Sequence, residues 1–166
     1  RVCASGTAGP EDLRQLLRGV ARERGWETTD EAAAQRWEDG RLETVDGVDR
    51  IHSADVACWH GDELHRRVWK GQVGALLPVV EDVRQRLLGR LRAVLRVPFR
   101  GDQDKESVST VDGLQIGHIV QQLDQRIAVA DDGTRALALA ARAIRNALAH
   151  VEPVRMEQLS SFLLHQ

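Results

Sequence analysis

The sequence has no tyrosine, only two cysteines and two lysines, and just 4% of its 166 residues are aromatic. Cys3 and Cys58 are too few for the dense disulfide framework of a small secreted domain, so we expect a reducing, cytoplasmic compartment. No apolar run approaches the roughly 18 residues that a membrane span needs, which argues against a membrane partner. Residues 1–9 lack the apolar core of a signal peptide and are expected to form a flexible leader.

Two common catalytic patterns are missing as well. GQVG (71–74) lies within a helical pattern and lacks the Lys-Ser/Thr of a phosphate-binding loop, so nucleotide hydrolysis is not supported. The serines of 107–110 and 160–161 have no histidine and carboxylate at a recognisable motif spacing. These gaps argue against a nucleotide hydrolase and a serine hydrolase, and we expect no cofactor.

A zinc site is the weaker of two interpretations of CWHGDELH. Cys58, His60 and His65, with His52 nearby, fit no standard zinc spacing, and a second cysteine pair is absent. We interpret His60 and His65 as exposed polar groups at a helix start, and expect no metal.

Charge offers one local feature. The net charge is −2, so no global field attracts nucleic acid, and arginine supplies 21 of the 23 basic residues, a bias that a GC-rich genome also produces. RQRLLGRLRAVLRVPFR (84–100) carries six arginines and no acid. One side of the helix predicted there carries Arg92, Arg96 and Arg100. That side is either a phosphate-tracking surface or a solvated helix face.

Apolar residues recur at helical spacing, which predicts an all-α fold. Residues 41–60 are ambiguous, because LETVDGVDRI forms either a small hairpin around Asp46-Gly47 or a loop. We expect an N-terminal helical segment over 10–60 and a helical domain over 61–166, with one long helix kinked or broken at Pro78. Residues 100–113 are expected to be a polar loop. The predicted helices cover 10–25, 28–40, 62–97, about 113–128, 134–150 and 154–165. Four tryptophans are interpreted as core or interface anchors rather than base-stacking platforms: Trp26, Trp37, Trp59 and Trp69.

The helix predicted for 134–150 carries an unusual outer face. Asn146, the only asparagine in the chain, lies roughly opposite the predicted core stripe. His150 is one turn further along the same face, Arg142 belongs to that side, and Arg145 lies at its boundary. The rest of the face is mostly alanine, which suits close approach of another helix from this chain or from a second copy. The predicted core stripe consists of Leu137, Ala141, Ile144, Leu148 and Val151.

These residue types have a shared chemistry. Arginine can hold a phosphate with two parallel hydrogen bonds. Histidine transfers protons in both directions near neutral pH, and asparagine adds a neutral donor and acceptor. Together they can cleave RNA without a metal if the ribose 2′-hydroxyl is the nucleophile and arginine offsets the charge on the phosphorus.

RNALAH (145–150) resembles the R-x4-6-H signature of the HEPN domain family, including the polar residue that often follows the arginine. The resemblance implies a helical bundle whose arginine and histidine meet at a dimer interface as a metal-independent endoribonuclease. It implies Arg145 as phosphate stabiliser, Asn146 as positioning group and His150 as general acid/base. One branch of the family has a modified tyrosine two positions after the histidine. Here Glu152 stands there, so that control is disfavoured.

We therefore expect a homodimeric endoribonuclease of a bacterial defence or toxin–antitoxin system, acting on an RNA such as tRNA or rRNA. An antitoxin or a larger effector assembly is a possible partner. Arg142, Arg92, Arg96 and Arg100 are candidate RNA-binding residues. The alternative is a catalytically inactive HEPN-like module for dimerisation or protein interaction within a larger protein.

Overall fold

The computed structural model describes residues 10–26, 33–59 and 61–165. The described residues are mostly helical, with one two-stranded antiparallel sheet. The α-helices are α1 (Pro10–Glu23), α2 (Ala33–Glu38), α3 (Ser53–Trp59), α4 (Gly61–Leu91), α5 (Ile116–Asp124), α6 (Asp132–Ala149) and α7 (Met156–Leu164). The strands are β1 (Leu42–Val45) and β2 (Val48–Ile51). None of the described helices has the length and apolarity to cross a membrane.

The chain divides into two compact units, Arg1–Lys70 and Gly71–Gln166. We call them the first and second units. The division falls inside α4, ten residues beyond the boundary expected between residues 60 and 61. The leader predicted for residues 1–9, and the start of the helix predicted for 28–40, lie outside the described residues.

A β-hairpin resolves the ambiguity of residues 41–60. Leu42 pairs with Ile51 and Val45 with Val48, which leaves a two-residue turn at Asp46 and Gly47. Both turn residues have positive φ, 54° and 75°. That conformation matches the right-handed twist of the strands and suits an Asp-Gly pair. The mostly helical prediction is confirmed, and the hairpin is one of the two alternatives that the sequence left open for this stretch.

The long helix continues through Pro78, so of the two alternatives expected there, a kink or a break, the break does not occur. Pro78 cannot donate to the Gly74 carbonyl, but both residues are exposed and water can satisfy that carbonyl. The helix ends at Leu91, six residues before the predicted end at Val97. Tertiary hydrogen bonds stop it, because the buried Gln122 side chain accepts from the Arg96 N–H at 2.8 Å and donates to the Arg96 carbonyl at 3.1 Å.

The first unit packs α1 against α3. Trp26 is buried with Ala21 and Ala54, as expected of a core tryptophan. A buried ion pair joins Arg41 to Asp55 at 2.8 Å, with side chains 1% and 7% exposed. This pair fixes the residue just before the hairpin to α3.

The second unit packs α5 and α7 against α6. Four of the five predicted stripe residues of α6 are buried: Leu137, Ala141, Ile144 and Leu148. The prediction for Val151 is wrong, since it is 56% exposed. α6 ends at Ala149, and Val151 adopts a left-handed φ of 61° as the chain turns away. α7 of the same chain packs on α6, while the prediction that another helix approaches the alanine-rich face of α6 stays a prediction.

Candidate functional site

A cleft of about 540 Å³ in the second unit contains part of the predicted motif. Arg142, Arg145 and Asn146 line it from α6, while α5 contributes His118 and Gln121. A loop supplies residues on the other side. The remaining lining residues are Gly101, Asp102, Gln103, Asp104, Gln115, Gly117, Asp124 and Gln125. We call this the polar cleft.

Burial of the opposite side of α6 directs its polar groups toward the cleft. Ala141 and Ile144 are fully buried, whereas Arg145 and Asn146 are exposed and Arg142 is half-buried. The helix starts at a proper cap, because the Asp131 carboxylate accepts from the Thr134 N–H at 2.8 Å and from its hydroxyl at 2.7 Å. The hydrogen bond from the Thr134 hydroxyl, followed by that from its backbone, lowers the pKa of Asp131 below its ordinary value.

Each carboxylate of the polar cleft already has a partner. Asp124 accepts from Arg135 at 2.8 Å, and Asp104 accepts from His118 at 2.6 Å. Asp102 accepts from the Gln121 amide, also at 2.6 Å. Of the three carboxylates, Asp124 forms an ion pair with an arginine, whereas Asp102 and Asp104 are hydrogen-bonded to an amide and to an imidazole.

The two arginines that line the polar cleft differ from these carboxylates in their contacts. Within the described ranges, neither Arg142 nor Arg145 forms an ion pair. The hydrogen bond from Arg145 to the Asn146 side-chain oxygen is long, at 3.4 Å. A guanidinium with no carboxylate partner can bind an anion such as a phosphate through two parallel hydrogen bonds.

His118 fixes the loop wall of the cleft and was not singled out by the sequence. Its Nδ1 accepts from the Gln115 N–H at 3.1 Å, so its Nε2 carries the proton donated to Asp104. Asp104 also accepts from the Gly101 N–H at 3.1 Å. Both ring nitrogens are therefore occupied, which makes His118 a positioning residue rather than a ready proton acceptor.

The segment that leads into α5 is held from α4. The buried Arg84 donates to the carbonyls of Asp112 and Leu114 at 3.1 and 2.7 Å. Glu81 accepts from the same guanidinium at 2.6 Å. This hydrogen bond lowers the pKa of Glu81 and raises that of Arg84. The contacts fix the segment that ends at Gln115, the N-cap residue of α5.

His150 lies just beyond the polar cleft. It is the C-cap residue of α6, it is exposed, and its N–H donates to the Asn146 carbonyl at 3.0 Å. Side chains four residues apart on a helix lie about 5–6 Å apart at Cβ. His150 is therefore one turn from Asn146 but is not among the residues that line the cleft.

The three other arginines proposed for RNA binding do not line the polar cleft. Arg92, Arg96 and Arg100 follow the end of α4, so the predicted shared helix side is wrong. Arg92 donates to Asp112 at 2.8 Å, which lowers the pKa of that carboxyl. Arg96 and Arg100 are exposed.

Among the residues weighed as zinc ligands, His52 has other contacts. His52 accepts from the Ala54 N–H at 3.1 Å and packs edge-on against Trp26. His60 lies outside the described residues. Across the described part of the chain, no group of three or more His, Cys, Asp or Glu side chains is placed to hold a metal ion.

Comparison of the chain with protein-family models, with curated proteins and with solved structures gives no match.

Proposed function

We propose that this chain is a HEPN-like, metal-independent endoribonuclease that binds its RNA in the polar cleft. One observation carries the proposal: Arg142, Arg145 and Asn146 face a cleft in which neither arginine forms an ion pair with a described residue. Both guanidiniums therefore keep hydrogen-bond donors for a phosphate. Because RNALAH resembles the signature of the HEPN family, this anion site is also a candidate site of RNA cleavage.

The proposed reaction uses the RNA's own 2′-hydroxyl. His150 accepts its proton as the 2′-oxygen forms a bond to phosphorus, and the bond from phosphorus to the 5′-oxygen breaks. A proton then passes to the leaving 5′-oxygen, which yields a 2′,3′-cyclic phosphate and a 5′-hydroxyl. Arg145 stabilises the charge that builds on the phosphoryl oxygens, and Asn146 orients the phosphate.

A homodimer fits this chemistry. One histidine accepts a proton while a second donates one, and two copies of the chain supply two copies of His150. The exposure of Arg145, Asn146 and His150 leaves this face open to an RNA strand and to a second copy. Under this proposal the dimer completes the site.

The first prediction is that RNA cleavage in EDTA is lost when the side chain of Arg145 or of His150 is replaced by alanine. Arg145→Ala should slow cleavage by about 10²–10³-fold, since it removes a charged stabiliser of the transition state. His150→Ala should slow it by about 10²–10⁴-fold, since it removes the general acid/base. Rates are measured on tRNA and rRNA with purified protein.

Matched controls exist in the second unit. Arg86 is an exposed arginine of α4 outside the cleft, and His165 is an exposed C-cap histidine of α7. Arg86→Ala and His165→Ala should cut at the wild-type rate. Undiminished cutting by both Arg145→Ala and His150→Ala would refute the site assignment.

A second candidate function is an RNA-holding or protein-interaction module that does not cut. The position of His150 outside the cleft lining favours it, together with the occupied ring nitrogens of His118. This candidate predicts RNA binding or dimerisation that Arg145→Ala weakens, with no product in the EDTA assay for any variant.

A further inference from the structure

Arg145 also lines a second cleft, which the proposed reaction does not use. This cleft has a volume of about 590 Å³ and mostly apolar walls. Val73, Leu77 and Pro78 of α4 form one side, and Ile116 at the start of α5 contributes to the other. The remaining lining residues are Gly74, Val80, Glu81, Arg84 and Gln115. We call it the apolar cleft.

Two of the charged residues that line the apolar cleft neutralise each other. Glu81 and Arg84 bind each other through two short hydrogen bonds, at 2.6 and 2.9 Å. Neither offers a free charge to a ligand. Gln115 adds an uncharged amide, and the one unpaired charge is Arg145, shared with the polar cleft. The apolar cleft therefore suits an uncharged group attached to an anion.

We propose that the apolar cleft binds a nucleobase of the RNA whose phosphate is held by Arg145. A nucleotide has the required chemistry, because a flat and largely uncharged base is joined through ribose to an anionic phosphate. Apolar walls with a few polar groups are typical of small-molecule sites. Leu77, 46% exposed, offers an apolar surface against which a base can pack. This inference rests on the proposed function, since it assumes the phosphate site at Arg145.

Glycine positions in α4 allow a direct test. Gly74 lines the apolar cleft, and a Cβ built there meets no other atom within 4 Å. Gly74→Leu therefore adds an apolar side chain that begins in open space at the cleft wall. Gly89, on the same helix, is equally open but lines neither cleft, so Gly89→Leu is the matched control. Both changes favour the helix, since glycine is a poor helix former.

The experiment compares adenosine 5′-monophosphate with ribose 5-phosphate by calorimetry on the full chain. The nucleotide should bind about tenfold more tightly or better, since contacts to a single base are worth that much in other single-strand sites. Gly74→Leu should abolish the difference and leave ribose 5-phosphate binding unchanged. Gly89→Leu should preserve the difference, and Arg145→Ala should weaken both ligands. Circular dichroism verifies that each variant is folded.

Equal affinity for the two ligands, absent nucleotide binding, or nucleotide binding unaffected by Gly74→Leu would each overturn the base site. A dimer that dissociates in Gly74→Leu, with nucleotide affinity unchanged, would assign the cleft to a second copy and overturn it too. RNA cleavage in EDTA by the same protein would meanwhile leave the proposed function standing. The two failures are therefore distinguishable.

Discussion

Single residues on α6 explain why the polar cleft suits an anion. The 3.6-residue period places Arg142 and Asn146 on the side away from the buried stripe and Arg145 at the boundary of that side, so the sequence alone could predict most of this wall. It could not predict that Asp124 and Asp104 are hydrogen-bonded within the protein. Their partners, Arg135 and His118, lie eleven and fourteen residues away, and only tertiary folding brings them together.

Gln122 shows how one buried polar residue sets an element boundary. It is 0% exposed, and its amide bonds both the N–H and the carbonyl of Arg96. Gln122→Leu should lower the free energy of unfolding by about 1–3 kcal/mol, since those partly buried backbone groups lose their partner. Urea denaturation measures this. The exposed Gln85→Leu is the control, with an expected change within about 0.5 kcal/mol. Equal losses in both variants would show that Gln122 has no special role.

Among the elements, helix existence was predictable and helix ends were not. Apolar residues at helical spacing located α1, α4, α5, α6 and α7. α3 was missed, since the ambiguous stretch 41–60 gave no helical period. The predicted end of α4 was too late, because apolar spacing continues past Leu91. Beyond Leu91, the Arg96 N–H is hydrogen-bonded to the Gln122 side chain instead of to a carbonyl of the helix.

The end of α6 contains a strained residue next to His150. Val151 has φ 61°, and the Glu152 N–H donates to the Ala147 carbonyl at 2.9 Å, as in a helix-terminating turn that favours glycine. The left-handed conformation costs a residue with a Cβ roughly 1–2 kcal/mol. A glycine at this position would avoid that cost, but its greater conformational entropy in the unfolded state would reduce the gain in stability by about 0.5–1 kcal/mol.

Val151→Gly should therefore raise the free energy of unfolding by about 1 kcal/mol or less. Val151 is 56% exposed, so little apolar burial is lost. Thermal and urea unfolding measure the change. Val129→Gly is the control, because Val129 is also exposed but has no positive φ, and it should destabilise the chain. A lower stability in Val151→Gly would show that the valine side chain contributes more than its conformation costs.

At the scale of the whole molecule, the candidate RNA chemistry belongs to the second unit alone. The polar and apolar clefts are lined entirely by residues of Gly71–Gln166. The first unit has its own core and its own buried ion pair. The sequence analysis predicted two parts of the chain. It did not predict the buried ion pair, because nothing local in the sequence distinguishes Arg41 and Asp55 from exposed charges.

Breaking that pair should affect the first unit selectively. Asp55→Ala removes a buried carboxylate from the Arg41 guanidinium, and removing one member of a buried ion pair typically costs about 3–5 kcal/mol. Hydrogen exchange should speed up over residues 41–59 and stay slow in α5 and α6. Glu43→Ala, at an exposed hairpin position, should leave both regions unchanged. Equal acceleration throughout the chain would show that the two units unfold together.

The most direct test of the central claim is the chemistry of the RNA ends produced in EDTA. If unpaired arginines of the polar cleft hold the phosphate while the 2′-hydroxyl attacks, the products carry a 2′,3′-cyclic phosphate and a 5′-hydroxyl. A 2′-O-methyl group at the cleaved nucleotide should then abolish cutting there. Cleavage that requires a divalent cation, that leaves 5′-phosphate ends, or that proceeds past the 2′-O-methyl group would contradict the account.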